Sequence, residues 1–393
     1  MPYNFDKIID RKNTNCVKHD AIAKYFGSDK LLPLWVADMD FETPDFIQEA
    51  LKKRLDHSVY AYSFYSDRFY SSFINWMNKK HQFQIETSWL KVTPGVLTGL
   101  SMAIMAFTEP GDKIIIQPPV YNPFFQLVKS SDRVLVQNEL KFENDSYQMD
   151  FDNLKASLDE KTKMIIISNP HNPVGRVWKK AELTELVDIC EEHNILILAD
   201  EIHSDIIFAP HTYTPIATIS SYAQNNSLTF VAPSKTFNIA GLATSIVIIP
   251  NERMHKKYSS LTSRFHIEGA NVFGSVAFEA AYTHGEGWLE QLLVYLKTNV
   301  EMVKSYLAEN LSSIKVVEPE GTYLLWLDFS ALNIKEDKLQ RILIEEAEVA
   351  LNKGKSFGSN GSNFMRLNIG SPQAVILEGL DRMVAALKRY ERV

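Results

Sequence analysis

Five short apolar runs alternate with helical patterns between Gly95 and Pro250, and this alternation constrains the fold more than any other feature. The runs are KIIIQ at 113–117, KMIIIS at 163–168, ILILA at 195–199, LTFVA at 228–232 and SIVII at 245–249. Each is continuously apolar and bounded by polar residues, proline or glycine, which is typical of strands buried on both faces. Between the second and third runs, residues 179–194 have the spacing of an amphipathic helix. The pattern predicts an α/β fold whose large domain has a mainly parallel, mixed sheet flanked by helices.

The last third of the chain has a different pattern. It comprises an amphipathic helix over Trp288–Leu311, the segment IKVVEPEGTYLLWLDFS, a helical stretch around Lys338–Ala350, the strand-like NFMRLNIG and a final helix from about Pro372. This order predicts a smaller α+β domain. A chain of 393 residues exceeds the usual size of one compact core. We therefore expect a large domain over 48–281, and a small domain formed by 1–47 and 282–393.

Composition and charge indicate the class of partner. The net charge is −7 with no long basic run, which argues against nucleic acid and anionic membrane as partners. The two cysteines, Cys16 and Cys190, are far apart, and we expect both to be reduced thiols. The N-terminal MPYNFDKIIDRKNTN lacks the apolar core of a signal peptide, and no apolar stretch reaches the roughly 20 residues that span a bilayer. A cytoplasmic protein acting on a small molecule is the expectation.

Polar side chains follow three of the predicted strands. NPHNPVG comes directly after KMIIIS, Asp200 is the first residue after ILILA, and Lys235 lies three residues past LTFVA. Ligands of open parallel sheets bind beyond the carboxyl ends of the strands. A lone lysine is usually solvated and a lone aspartate after a strand often caps a turn, but their joint placement predicts that Asn172, Asp200 and Lys235 meet in one ligand site.

A fourth feature is TPGVLTGLSMAIMAF, in which a Pro-Gly turn opens a helix at Gly95. Free backbone N–H groups and the helix dipole make such a start a good anion site. Other site types lack their motifs. Gly354-Lys355-Ser356 has Val349 where a phosphate loop needs its first glycine, and Gly-x-Gly-x-x-Gly after a strand, His-Glu-x-x-His and Gly-x-Ser-x-Gly do not occur. The ten histidines show no metal-ligand spacing, so no metal site is predicted.

The chain resembles the class I/II aminotransferase-like enzymes, which have the fold-type I transferase architecture and use pyridoxal 5'-phosphate (PLP). The resemblance rests on NPHNPVG, an aspartate at a strand end and Ser-Lys before a glycine, in that order. The resemblance covers essentially the whole chain. Within this family, the chain is similar to the MalY/PatB-type cystathionine β-lyases, or C–S lyases. The motifs that carry this similarity are WVADMDF at 35–41, DEIHSD, PSKTFNIAGL and EGTYLLWLDF at 320–329.

The resemblance implies a set of cofactor-binding residues. Lys235 would bind PLP covalently, because its amine lies on a fixed loop. Asp200 would keep the pyridine nitrogen protonated, so that the ring can act as an electron sink. Asn172 would donate a hydrogen bond to the phenolic oxygen, and Tyr121 would stack on the ring face. The phosphate would be held by the backbone N–H groups of Gly95, Val96 and Leu97 together with the Ser234 hydroxyl.

Two departures from the family pattern concern the cofactor. His203 occupies the position three residues after Asp200 where many relatives have a tyrosine, and we count it among the cofactor-binding residues. Many relatives also have an arginine for the phosphate eight residues after the lysine. Ala243 stands there in this chain, and the sequence does not say what compensates the phosphate charge.

The resemblance also implies substrate contacts and a partner. Arg366 would hold the substrate carboxylate, because a planar guanidinium can bind it with two parallel bonds, and Tyr121 and Ala37 would contact the substrate as well. Met365, Leu367 and Ile369 share one face of the predicted strand and leave Arg366 and Asn368 on the other. Relatives receive a tyrosine from the neighbouring subunit at the phosphate. VYAYSFY offers Tyr60 and Tyr62, of which we favour Tyr62, so a homodimer with a shared active site is expected.

The implied reaction is α,β-elimination from L-cystathionine or a related cysteine S-conjugate. Lys235 would remove the Cα proton, a thiolate would leave from Cβ, and the products would be a thiol, pyruvate and ammonia. Transamination by an amino-acid aminotransferase is the close alternative, and no residue in the sequence separates the two by chemistry alone. A binding or regulatory protein that has kept the fold is a third possibility, against which Lys235, Asp200 and Arg366 argue. The preferred leaving group is not specified by the sequence.

Overall fold

The computed structural model describes residues 3–267, 269 and 271–391. Its strands are β1 (Leu32–Pro33), β2 (Leu90–Thr93), β3 (Lys113–Ile116), β4 (Val134–Gln137), β5 (Lys141–Glu143), β6 (Ser146–Gln148), β7 (Thr162–Ser168), β8 (Leu196–Asp200), β9 (Ser227–Val231), β10 (Ser245–Ile248), β11 (Lys315–Val316), β12 (Leu324–Asp328), β13 (Val349–Ala350), β14 (Asn352–Lys353) and β15 (Phe364–Asn368).

The helices fall before, between and after these strands. They are α1 (Val17–Asp20), α2 (Ile22–Phe26), α3 (Asp45–Leu55), α4 (Asp67–His81), α5 (Val96–Phe107), α6 (Pro123–Ser130), α7 (Phe151–Ala156), α8 (Lys180–Glu192), α9 (Ser221–Asn225), α10 (Pro233–Thr236), α11 (Glu252–Arg264), α12 (Val272–His284), α13 (Glu286–Asn310), α14 (Glu336–Arg341) and α15 (Gln373–Leu387). None of the helices in the described ranges is both long and apolar enough to cross a membrane.

A seven-stranded sheet forms the centre of the large layer, in the order β2-β10-β9-β8-β7-β3-β4. The strands β4, β3, β7, β8 and β9 pair in parallel, whereas β10 is antiparallel to both of its neighbours. All five apolar runs singled out in the sequence are strands of this sheet, and the prediction of a mainly parallel mixed sheet flanked by helices is confirmed.

One detail of the strand ends differs from the prediction. Asp200 is the last residue of β8 rather than the first residue after it, because it still pairs with Ser168 of β7 and Phe230 of β9. A central strand keeps its ladder as long as both neighbours continue, so the polar side chain is held on rigid backbone. The carboxylate is therefore fixed at the sheet edge rather than carried on a loop.

A second, four-stranded sheet has the order β11-β12-β15-β14 and is antiparallel throughout. Strand β15, which carries Arg366, lies between β12 and β14, and all five of its residues are buried. Arg366 is therefore not an exposed arginine on an edge strand, and both faces of β15 are covered.

The predicted helix around Lys338–Ala350 is wrong at its C-terminal end. Helix α14 ends at Arg341, a wider turn covers Ile342–Glu346, and Glu348 has a left-handed backbone (φ 51°) that stops the helical path. Val349–Ala350 then forms β13, which pairs in parallel with Leu32–Pro33. The N-terminal segment thereby forms a separate two-stranded sheet with β13. The domain bounds proposed from the sequence remain a prediction.

Candidate active site

A cavity of about 280 Å³ opens at the carboxyl ends of β7 and β8 and at the start of α5. The sequence-predicted residues that line it are Ala37, Gly95, Val96, Leu97, Tyr121, Asn172, Asp200, His203, Ser234 and Lys235. Arg366 lies directly behind Asn172, since its Nη1 donates to Asn172 Oδ1 at 2.9 Å. The tertiary fold therefore brings together side chains that are spread over more than 300 residues of sequence.

Lys235 lies in the short helix α10, which starts immediately after the central strand β9. Its Nζ donates to the Ala37 carbonyl oxygen at 2.6 Å. Burial and the nearby positive charge of Arg366 lower the pKa of Lys235 to about 8, against the opposing effects of Asp38 and Asp200. A lysine with this pKa is partly neutral near physiological pH, as a nucleophile or base must be.

Asp200 is a buried carboxylate, 5% exposed, that accepts one hydrogen bond from the backbone N–H of Ile202 at 3.2 Å. Burial raises its pKa to about 6, and the charge of Lys235 offsets this only in part. A carboxylate in this state is stabilised when a cationic group comes against it, and a protonated ring nitrogen would supply that charge.

The start of α5 forms an anion cradle. Gly95 caps the helix with a backbone φ of 121°, which favours glycine, and no side chain occupies the cap. The N–H groups of the first turn have no intrahelical acceptors, and the helix dipole places partial positive charge there. Ser234 lines the same cavity, and so does Ala243, which puts a neutral side chain at the position where many relatives have an arginine.

The guanidinium of Arg366 is fixed by three hydrogen bonds, which use three of its five N–H donors and leave two unused. Besides Asn172, it donates from Nη2 to the Trp35 carbonyl at 2.9 Å and to Asn352 Oδ1 at 2.8 Å. Its Nε is buried without a partner, which is costly unless a ligand accepts from it. Burial lowers the pKa of Arg366 to about 10, so the side chain stays cationic at neutral pH and suits a carboxylate.

His203 and Tyr121 complete the polar wall of the cavity as neutral groups. Burial and the charges of Lys235 and Arg366 lower the pKa of His203 well below its ordinary value, and its Nδ1 has no partner. Burial, and secondarily Asp200, raises the pKa of Tyr121, so its hydroxyl remains protonated. Both side chains can donate or accept hydrogen bonds without adding charge.

Tyr60 and Tyr62 lie outside this cavity. They belong to the irregular segment between α3 and α4, in which Tyr62 is fully exposed and Tyr60 donates from its hydroxyl to the Leu55 carbonyl at 3.0 Å. Neither residue is among those that line the cavity.

Two residues that support the site were not singled out from the sequence, although both lie inside motifs quoted for the family resemblance. Tyr323 donates from its hydroxyl to the Ala37 carbonyl at 2.9 Å, the same oxygen that receives Lys235. Asp205 accepts from Trp76 Nε1 at 2.9 Å and from Thr236 Oγ1 at 2.8 Å, and also pairs with His81. Asp205 thereby ties the loop after β8 to the residue next to Lys235. The available signal was their place in these motifs: Asp205 is the last residue of DEIHSD, and Tyr323 lies in EGTYLLWLDF directly before β12.

The sequence profile of aminotransferase class I and II matches residues 29–383. The chain belongs to this family. Among the class I and II aminotransferases and their relatives, it is 41% identical over 385 residues to the cystathionine β-lyase PatB of Bacillus subtilis strain 168, a match that covers 98% of this chain and 100% of PatB.

The chain also matches solved structures of this family along nearly its full length. Cystalysin from Treponema denticola, which contains PLP, is 36% identical, with a TM-score of 0.95 and complete coverage of both chains. The PLP-bound C–S lyase from Staphylococcus hominis, complexed with L-cycloserine, is 33% identical, with a TM-score of 0.93 and 98% coverage of both chains. The fold class and the family predicted from the sequence are confirmed.

The residues present fit PLP. The uncapped helix start offers N–H donors to a phosphate, the unpaired carboxylate of Asp200 suits a cationic ring nitrogen, and the amine of Lys235 opens into the same cavity. The Oδ1 of Asn172 is taken by Arg366, which leaves its amide nitrogen to donate elsewhere. The donor set therefore matches each polar end of the cofactor.

Proposed function

We propose that this chain is a PLP-dependent C–S lyase that cleaves L-cystathionine or a related cysteine S-conjugate. The overall change would be a cysteine S-conjugate plus water giving a thiol, pyruvate and ammonia. Bound PLP would supply an electron sink that makes the substrate's Cα proton removable.

The observation that carries the proposal is that Lys235 and Asp200 line one cavity and that Arg366 lies directly behind its wall, bonded to Asn172. Each of the three has the ionisation that the reaction requires. The amine of Lys235 has a pKa of about 8, Arg366 remains cationic, and Asp200 is a carboxylate without a cationic partner. A site that only bound an amino acid would not need a lysine whose amine has a lowered pKa and can take the proton from the substrate's Cα.

Arg366 binds the substrate carboxylate with its unused donors and so fixes the orientation of Cα. Lys235 accepts the Cα proton once its amine is free, and the thiolate then leaves from Cβ. With PLP bound, Asp200 would maintain the charge of the ring nitrogen, Asn172 would donate to the ring oxygen, and Tyr121 would cover the ring face. The PatB and C–S lyase names of its relatives support elimination rather than transamination.

Incubation with L-cystathionine distinguishes the two reactions. Purified protein loaded with PLP should release pyruvate and free thiol without any added 2-keto acid. The matched variant Lys235→Ala should release neither product and should lack the absorbance of lysine-bound cofactor. Turnover that appears only when a 2-keto acid is supplied would establish an aminotransferase instead. A protein that shows no cofactor absorbance change with any amino acid would be a binding protein.

We further propose that the active enzyme is a homodimer in which Tyr62 reaches the phosphate of the neighbouring site. The support is its location. Tyr62 lies with Val59, Tyr60 and Phe64 in an exposed aromatic and aliphatic segment, and each of these side chains is at least half exposed. Apolar patches of this kind on a soluble chain mark contact surfaces.

Subunit mixing tests this arrangement. Lys235→Ala and Tyr62→Phe each impair every site of their own dimer, whereas a hybrid dimer contains one site with both native residues. Activity should therefore reappear after the two inactive proteins are unfolded and refolded together. Tyr60→Phe is the control, and should keep most of its activity. A fully active Tyr62→Phe homodimer, or a monomeric active enzyme, would contradict the shared site.

A further inference from the structure

One backbone oxygen near the catalytic lysine receives two hydrogen bonds. The Ala37 carbonyl accepts from Lys235 Nζ at 2.6 Å and from the Tyr323 hydroxyl at 2.9 Å. Tyr323 is completely buried, and burial raises its pKa well above the ordinary value, so its hydroxyl keeps its proton and remains a donor. The lysine amine and the tyrosine hydroxyl thus share a single acceptor.

The segment that carries this carbonyl is held on both sides. The side chain of Asn368 donates to the carbonyl oxygens of Val36 and Asp38, which flank Ala37. On the far side, Asn238 accepts from the backbone N–H of Met39 at 3.0 Å and donates to its carbonyl at 2.9 Å. The position of Ala37 therefore does not depend on Tyr323 alone, and removing one hydroxyl should not release the segment.

The two donors act on each other through the carbonyl. A carbonyl that already accepts one hydrogen bond is a weaker acceptor for the second, and the hydroxyl dipole points its positive end toward the same oxygen. Both effects disfavour a positive charge on the neighbouring amine. Loss of the tyrosine donor would strengthen the remaining bond from the ammonium form of Lys235 and favour that form.

We propose that Tyr323 is a positioning residue for Lys235. The Tyr323 hydroxyl fixes the Ala37 carbonyl, to which the free lysine amine also donates, and it competes with the amine for that oxygen. The amine therefore gives up its proton more readily. This inference rests on the proposed function, in which Lys235 takes the Cα proton. It adds a reason why the amine can be neutral while it stays fixed beside the substrate.

Other charged and titratable groups also face Lys235. Arg366 opposes its protonation, whereas Asp38 and Asp200 favour it. Asp38 is neutralised by Arg11, which donates to it from Nη2 at 2.8 Å, and Lys18 lies 3.6 Å away. His203 and Tyr121 line the same cavity. None of these charges is removed by a substitution at Tyr323, so a change in the titration of Lys235 would report the lost hydroxyl.

The decisive measurement is the titration of the lysine amine in the full-length chain without cofactor, which does not depend on lyase activity. The rate of acetylation of Lys235 by acetic anhydride is followed by mass spectrometry at pH values on both sides of its pKa. In Tyr323→Phe the midpoint should move upward by about 0.5 to 1 pH unit, the shift expected for one hydrogen bond of ordinary strength. In the holoenzyme, the acid limb of kcat should move in the same direction, with a smaller change in KM.

Tyr222→Phe is the matched control, because the Tyr222 hydroxyl also donates to backbone carbonyls, those of Cys190 and Ile195, far from the cavity. It should leave the midpoint unchanged. A folded Tyr323→Phe protein with an unshifted midpoint would overturn the proposal, even if lyase activity is confirmed. If this variant does not fold, 3-fluorotyrosine at position 323 replaces it. Its stronger donor should lower the midpoint, and an unchanged midpoint would equally refute the role.

Discussion

Asp200→Asn should make the cofactor-free protein more stable while it abolishes function. Burial raises the pKa of Asp200 from 3.8 to about 6 in the folded chain, so the folded state binds its proton more tightly than the unfolded state does. Stability is therefore lost as pH rises from 3.8 through 6, and the loss is complete above that range. A shift of about two pKa units corresponds to about 3 kcal/mol. An asparagine of the same shape removes this cost and can still accept from the Ile202 N–H.

Urea unfolding of the cofactor-free proteins measures this difference. Well above pH 6, Asp200→Asn should have a free energy of unfolding up to about 3 kcal/mol higher than the parent chain, and below pH 3.8 the two should coincide. Cofactor affinity and lyase activity should fall sharply, because the ring nitrogen loses its counter-charge.

Asp205→Asn is a control in which the free energy of unfolding should change in the opposite direction. Asp205 is equally buried, but hydrogen bonds from His81, Trp76 and Thr236 lower its pKa. Its contribution to stability is present above pH 3.8 and is lost as pH falls through the folded value, so this variant should be destabilised near neutral pH. If Asp200→Asn does not raise the free energy of unfolding, or raises it by the same amount at every pH, Asp200 is not an uncompensated buried charge.

Arg366→Lys keeps the charge but loses the planar fork, so kcat/KM should fall about 10- to 100-fold, mainly through KM in steady-state pyruvate assays, whereas Arg382→Lys on the surface should be neutral. The kcat of the parent enzyme should rise as pH increases through about 8, since Lys235 must lose its proton; a flat profile there would count against it as the base. Arg176→Met removes the hydrogen bond from the buried Arg176 guanidinium to the half-buried Glu320, and should lower the free energy of unfolding by about 1.5 to 3 kcal/mol in urea titrations. An unchanged midpoint would show that this ion pair does not stabilise the fold.

Much of the fold was predictable because the strands of the large sheet are buried on both faces. Such strands appear as continuous apolar runs, and the polar residues that follow them must lie at one edge of a parallel sheet. Asn172, Asp200 and Lys235 could therefore be placed together from the sequence alone. The glycine that opens α5 was predictable for a similar local reason.

The small sheet was harder to predict because its strands are short and depend on partners far away. Val349–Ala350 was predicted as the end of a helix, and became a strand because Leu32–Pro33 pairs with it. Local propensity cannot report a partner more than 300 residues away. For the same reason Arg366 was placed on one face of a strand but not between two neighbours.

The sequence by itself therefore determined the sheet, the residues at its carboxyl edge and the family to which the chain belongs. Those features follow from local periodicity and from motifs within a few residues. Only the tertiary structure decided the protonation states of the site's side chains and the hydrogen bonds that hold them in place. Lys235 meets the carbonyl of Ala37 across 198 residues of sequence, Tyr323 reaches the same oxygen across 286, and Asp200 is left without a cation. Burial and long-range hydrogen bonds set those pKa values, and neither is encoded in any local pattern.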